Sequence, residues 1–194
     1  MRKRPIRIAN CSGANCDPGV HMLRQAKYGQ VDVITGDYLA EFNLALKAEP
    51  MKQGKLPGWE PTALEGLTLS LEVINQKRIK VVINGGGLNP KALAEKVVEM
   101  VKERKLDLKV GYVSGDDAMD LVLQRLDAGE GLFEHLDFEK QFLSSPHKSF
   151  LEDPKKKIVS AHAYLGARAI RLGLEAGADI IICNAIHPLF SIAV

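Results

Sequence analysis

Four short runs of glycine and small polar residues hold the groups in this chain with the clearest capacity for chemistry: Asn10-Cys11-Ser12-Gly13-Ala14-Asn15, Gly36-Asp37-Tyr38, Asn84-Gly85-Gly86-Gly87-Leu88-Asn89 and Ser114-Gly115-Asp116-Asp117. Asp37, Asp116 and Asp117 have the chemistry to act as a general base once a pKa is raised, or to hold a divalent cation. Aspartate at the start of a helix also caps it. One of the adjacent pair Asp116 and Asp117 is therefore expected to be a cap, leaving the other and Asp37 for chemistry. The triple glycine carries a high conformational-entropy cost, which makes most sense where backbone amides must come close to an anion. The expected ligand-contacting set is Asn10, Ser12, Gly13, Gly36, Asn84, Gly85, Gly86, Gly87, Asn89 and Gly115, with Asp37, Asp116, Asp117 and His162 as catalytic candidates. Plain turns and helix caps account for part of the same pattern without any ligand.

Several other chemistries lack their motifs. No G-x-G-x-x-G follows the first apolar run and no G-x-x-x-x-G-K-[ST] occurs, which argues against a standard dinucleotide site or P-loop. His21, His135, His147, His162 and His187 show no zinc-ligand spacing, so the cofactor is left open, a divalent cation being the one the carboxylates would suit. His162 stands out among them because it precedes Tyr164 and Gly166 near a strand end. Cys11 has no base partner in view and reads as a small packing residue rather than a nucleophile.

The elements that must position these runs follow from hydrophobic pattern. Five continuous, β-branched stretches read as buried strands: residues 6–9, 31–35, 79–83, 108–113 and 178–183. Helical spacing marks residues 90–105, with Asn89 as N-cap and Pro90 in the first turn, and residues 62–77, where Thr62 and Glu65 have the spacing of a capping box. Residues 118–126 and 161–175 supply two more helices, the last stopped at Gly177. Alternating strands and helices predict an α/β Rossmann-like three-layer sandwich with a mainly parallel sheet of about five strands, whereas a complete eight-fold barrel would need ~250 residues. Each polar run then sits at the carboxyl end of a strand, where open parallel sheets bind their ligands.

The bulk composition agrees. The 194 residues are 46% hydrophobic, 26% charged and 6% aromatic, as expected of one globular domain. A net charge of +2 leaves no footprint for nucleic acid, and Lys155-Lys156-Lys157 reads as a solvated loop. No run approaches the ~20 apolar residues of a membrane span. Three cysteines without framework spacing fit a reducing, cytoplasmic setting.

The same runs carry a family likeness. Ala9-Asn10-Cys11-Ser12-Gly13, the stretch Thr35-Gly36-Asp37-Tyr38-Leu39-Ala40-Glu41, Asn84-Gly85-Gly86-Gly87-Leu88-Asn89-Pro90 and Gly115-Asp116-Asp117 resemble the N-terminal domain of the acyclic terpene utilisation family, in order and from about Arg7 to Asp179. The resemblance implies a metabolic enzyme domain acting on branched or terpenoid acids or their coenzyme A thioesters. Its partner would be a small anionic or acyl-CoA-like ligand, with self-association into a homo-oligomer left open and neither nucleic acid nor membrane involved. After Ile182 the chain departs from the family pattern. Residues 1–182 are accordingly expected to form an incomplete family domain and residues 183–194 a divergent apolar tail. A truncated, inactive fragment and a non-catalytic ligand-binding module are the alternatives.

Overall fold

The computed structural model describes residues 4–129 and 158–184. Five short strands, β1 (Ile8–Asn10), β2 (Val33–Gly36), β3 (Lys80–Ile83), β4 (Val110–Tyr112) and β5 (Ile180–Ile182), form one sheet in the order β1-β2-β3-β5-β4, and every pairing is parallel. The described helices are α1 (Val20–Tyr28), α2 (Glu41–Lys52), α3 (Pro61–Lys77), α4 (Pro90–Glu103), α5 (Met119–Asp127) and α6 (Arg168–Glu175). The protein is thus an α/β three-layer fold, as the alternation of strands and helices predicts.

Strand alternation sorts the core onto two faces. Ile34, Val81, Ile83, Ile180 and Ile182 pack with Met22 of α1, Leu67, Leu71 and Ile74 of α3, and Leu93, Val97 and Val101 of α4. Val82, Ile181 and Cys183, one residue out of phase, pack with Ile170 of α6 and with Val113. Right-handed crossovers explain the division. The chain advances in one direction from β1 to β4 and then turns back to insert β5 between β3 and β4, so the helix preceding β5 lies on the opposite face.

Asp179, just before β5, pins that insertion at the amino edge of the sheet. Its carboxylate accepts from Lys80 Nζ at 2.8 Å, from Arg78 Nη2 at 3.3 Å and from the Lys109 amide at 2.9 Å, tying β3, β5 and β4 together. Burial works against its ionisation, but the hydrogen bonds from Lys80 and Lys109 prevail and hold its pKa below the usual aspartate value.

The structure corrects several local expectations. The residue capping α3 is Glu60, not Thr62: the Glu60 side chain accepts from the Thr62 amide, and Pro61 takes the first helical position. Glu65 instead accepts from the Gly19 amide at 3.3 Å. The last helix begins at Arg168 rather than at Ala161, because His162 forms an isolated antiparallel bridge with Asp117. Gly177 adopts the expected left-handed conformation, with φ +88°. The described residues fall into two compact units, one drawn from residues 1–116 and 164–194, the other from Asp117–Ala163. No helix among the described residues is long and apolar enough to cross a membrane. Lys155-Lys156-Lys157, His135, His147, His187 and residues 185–194 lie outside the described residues.

Candidate functional site

Parallel strands bring the ends of β1, β2, β3 and β5 to one edge of the first unit, and the loops there are stitched to each other rather than left open. Cys11 N donates to Thr35 O at 2.8 Å and Asp37 N to Ser12 O at 3.0 Å, extending the β1–β2 ladder beyond the strands. Thr35 Oγ1 donates to Asn10 Oδ1 at 3.0 Å, and Asn10 Nδ2 donates to Ser12 O at 2.6 Å. The buried Ser12 hydroxyl lies within bonding distance of Ala14 O, Asp37 O and Asp17 Oδ2. The amides of Gly13 and Ala14 donate to Asp17 Oδ2 at 2.8 and 3.2 Å. The Gly13 bond is the main reason that the Asp17 carboxyl titrates below the ordinary range. Asp17, which sequence reasoning missed, thereby fills the small anion nest of its own loop.

Asn84 is the centre of the edge. From the end of β3 its Oδ1 accepts from the Tyr38 amide at 2.7 Å and its Nδ2 donates to Asp37 Oδ1 at 2.6 Å. Only 3% exposed, it holds a half-buried carboxylate in one place. Tyr38 turns its ring into the core, where its hydroxyl meets Cys11 Sγ at 3.5 Å and burial pushes both pKa values up. Cys11 is a packed thiol, as expected.

The triple glycine serves the chain's own packing. A Cβ on Gly85 would lie 2.5 Å from Ala63 Cβ, one on Gly86 2.5 Å from Cys183 O, and one on Gly87, at φ +53°, 2.6 Å from Gly58 O. The amides of Gly86, Gly87, Leu88 and Asn89 donate to Cys183 O, Asn84 O, Gly58 O and Gly86 O. These four amides therefore have partners within the chain, and the close approach that glycine permits is to the Ala63 side chain at Gly85 and to neighbouring backbone at Gly86 and Gly87. Gly36 is of the same kind, a Cβ there falling 2.6 Å from the Tyr38 ring. Asn89 caps α4 as expected, accepting from the Ala92 amide at 3.2 Å.

A second asparagine repeats the Asn84 arrangement. Asn184 Nδ2 donates to Asp116 Oδ1, both residues being buried, and Cys183 beside them is pushed up to about 12 by burial and by the Asp116 charge. Cys183 also extends β5, donating to Ile83 O at 2.8 Å. The first two residues of the segment expected to be a foreign tail are thus bonded into the sheet edge. Asp37 and Asp116 share that edge but follow β2 and β4, three strand spacings apart, ~14 Å, which does not favour one cation between them. Among the described residues no group of three histidine, cysteine or acidic side chains is placed to hold a metal ion. Gly115, at φ +104°, is exposed with open space around it, as is Gly13. Neither member of the acidic pair is the N-cap of α5, which is Ala118; Asp117, one residue before it, accepts from the Met119 amide at 2.9 Å and with His162 belongs to the second unit.

Two further residues of the first unit join the site. Tyr164 donates from its hydroxyl to Glu41 Oε1 at 2.8 Å. Partial desolvation, the Glu41 hydrogen bond and the charges of Glu41 and Asp37 together push the Tyr164 phenol up to about 12. It is a neutral proton donor within electrostatic reach of Asp37. The model of the acyclic terpene utilisation family protein AtuA matches residues 6–186. The chain belongs to that family. No curated protein and no solved structure matches it. In this acyclic terpene utilisation protein the matched segment therefore includes all five strands, both asparagine–aspartate pairs and the Tyr164–Glu41 pair, which places the whole described edge inside the family's own sequence pattern.

Proposed function

We propose that this chain is a metabolic enzyme domain of acyclic terpene utilisation that binds a branched or terpenoid acid, or its coenzyme A thioester, at the carboxyl edge of the first unit. Asp37 would serve as the base. The observation that carries the reading is the Asn84–Asp37 hydrogen bond at 2.6 Å, a buried amide that fixes one half-buried carboxylate among strand-end loops. A catalytic base needs such fixed geometry more than a helix cap does. Tyr164, its O–H bonded to Glu41, complements it as a phenol that stays protonated at neutral pH within electrostatic reach of the same carboxylate. Asp17, Asp37, Glu41 and Asp116 make the edge acidic, so the neutral acyl end of a thioester suits it and the CoA phosphates belong elsewhere. The reaction class is proton transfer on the acyl chain, from a carbon made acidic by the thioester carbonyl to the Asp37 carboxylate.

The test is solvent deuterium exchange into a branched acyl-CoA incubated with the full chain and followed by NMR, together with calorimetric binding. Asp37→Asn should abolish exchange while binding stays within about threefold of wild type, because the change leaves the ligand's contact surface nearly intact. Exchange undiminished in Asp37→Asn removes Asp37 from its role. Absence of binding by any branched acid or thioester removes the substrate class.

A further inference from the structure

We infer that a groove at the amino edge of the sheet is a binding site for a phosphate group in its doubly charged form. The groove measures about 460 Å³ and is lined by Arg4, Arg7, Gly29, Gln30, Asp32 and Lys77. Those residues come from the segment entering β1, from the turn between α1 and β2, and from the last residue of α3. Parallel strands gather them, since β1, β2 and β3 all start at this edge. Small-molecule sites run from about 300 to 1,000 Å³. The groove therefore has room for a phosphate and for an organic body attached to it.

Three cationic side chains line it against one carboxylate. Asp32 is committed to Arg4, whose Nη1 and Nη2 donate to its two oxygens at 2.6 and 2.5 Å, and to the Arg7 amide at 2.9 Å. The Arg4 hydrogen bond is the main reason that its carboxyl titrates well below the ordinary aspartate range, so Asp32 stays ionised and offsets one cation. Arg7 and Lys77 are anchored by neutral oxygens instead. Arg7 Nη1 donates to Gln30 O at 3.2 Å and to Gln30 Oε1 at 2.6 Å, while Lys77 Nζ donates to Ala26 O and Lys27 O, both at 2.8 Å, in the last turn of α1. Neither makes an ion pair among the described residues. Two positive charges are thus left over, held by intrachain bonds that lower the cost of ordering them around a guest. Donors remain as well: the Lys77 ammonium has a third proton, and the Arg7 guanidinium still has those on Nε and Nη2. A carboxylate would match only one of the two charges. A phosphate monoester carries close to two at neutral pH and offers three acceptor oxygens, which suit a guanidinium fork and an ammonium together.

The groove lies at the edge opposite Asp37 and shares no residue with the proton transfer assigned there, so either reading can fail without the other. The test is NMR of the full chain, following the Gly29 amide and the Gln30 side-chain amide during titration with inorganic phosphate, adenosine 3′-monophosphate, dimethyl phosphate and adenosine. Both dianions should give saturable shifts, and tighter binding of the nucleotide would assign the phosphate to an organic carrier rather than to the free ion. Dimethyl phosphate, with a single charge, should bind at least about tenfold more weakly than inorganic phosphate, and adenosine should give no saturable shift. Arg7→Gln should weaken both dianions by about tenfold, the loss of one charge-assisted contact. If that variant does not fold, Lys77→Gln must weaken them comparably. Wild-type affinity in both variants, equal binding of dimethyl phosphate, or no saturable shift with either dianion, the result expected of a merely solvated basic surface, would each overturn the assignment.

Discussion

Asn84 commits both ends of its carboxamide, and replacing it tests whether the site is held or merely present. Asn84→Leu removes the hydrogen bonds that Asn84 makes to the Tyr38 amide and to Asp37 and should cost about 1–3 kcal/mol in urea denaturation; unchanged stability would show that the clamp is incidental. Tyr164 gives a pH test. Its absorbance, taken as the difference from Tyr164→Phe, should titrate with a midpoint at about 12, and Glu41→Gln should bring that midpoint down. Because the folded state holds this proton more tightly than the unfolded chain, the associated stabilisation is present below the ordinary tyrosine value of about 10 and disappears as pH rises through the folded value. At this scale Asp37 and Asn84 were legible because they directly follow the apolar strands β2 and β3, and Asp116 because it lies in the polar run that begins two residues after β4. Glu41, Asp17 and Asn184 were not, since each acquires its meaning from a partner brought near by loop shape or strand order. The three glycines were legible as a close approach but not as an approach to the protein itself, for a bare sequence does not say what stands where a Cβ would go.

The elements were read most securely where periodicity is strong. α3 and α4 bury a full stripe, and β2, β3 and β5 are nearly continuous apolar runs. α1 and α2 escaped notice for physical reasons: α1 buries only Met22 and Ala26, while α2 exposes Phe42 and Leu46 and contains Pro50, so neither shows a clean apolar face. The packing of the β3–α4 loop predicts a sharp contrast between two glycines. Gly86→Ala, with backbone 2.5 Å from the new methyl, should lose about 1–3 kcal/mol and lower the thermal midpoint, whereas Gly13→Ala, in open space, should change it little. Comparable midpoints for the two would refute the packing account. The Asp179 junction predicts an acid response. Its lowered pKa adds stability that is present above the ordinary aspartate value of about 4 and is lost as pH falls through the folded value, so Asp179→Asn should flatten the acid limb of the stability curve.

For the molecule as a whole, the alternation of strands and helices was enough to give a parallel sheet in three layers, but not the order of its strands or the division into two units. Order depends on a crossover that returns, and composition carries no trace of direction. That return has a consequence in time. During synthesis β1, β2 and β3 can pair as they appear, but β4, whose partner in the sheet is β5, has none until residues 180–182 are made. At about 5–20 residues per second, the stretch from β4 to β5 takes roughly 3–14 s to emerge from a ribosome. Throughout that interval the Val81–Ile83 backbone is an uncovered strand edge beside a nearly complete apolar face, open to pairing with another nascent chain. Slow translation between β4 and β5 should therefore raise the demand for chaperones on this chain more than an equal delay placed between β1 and β3.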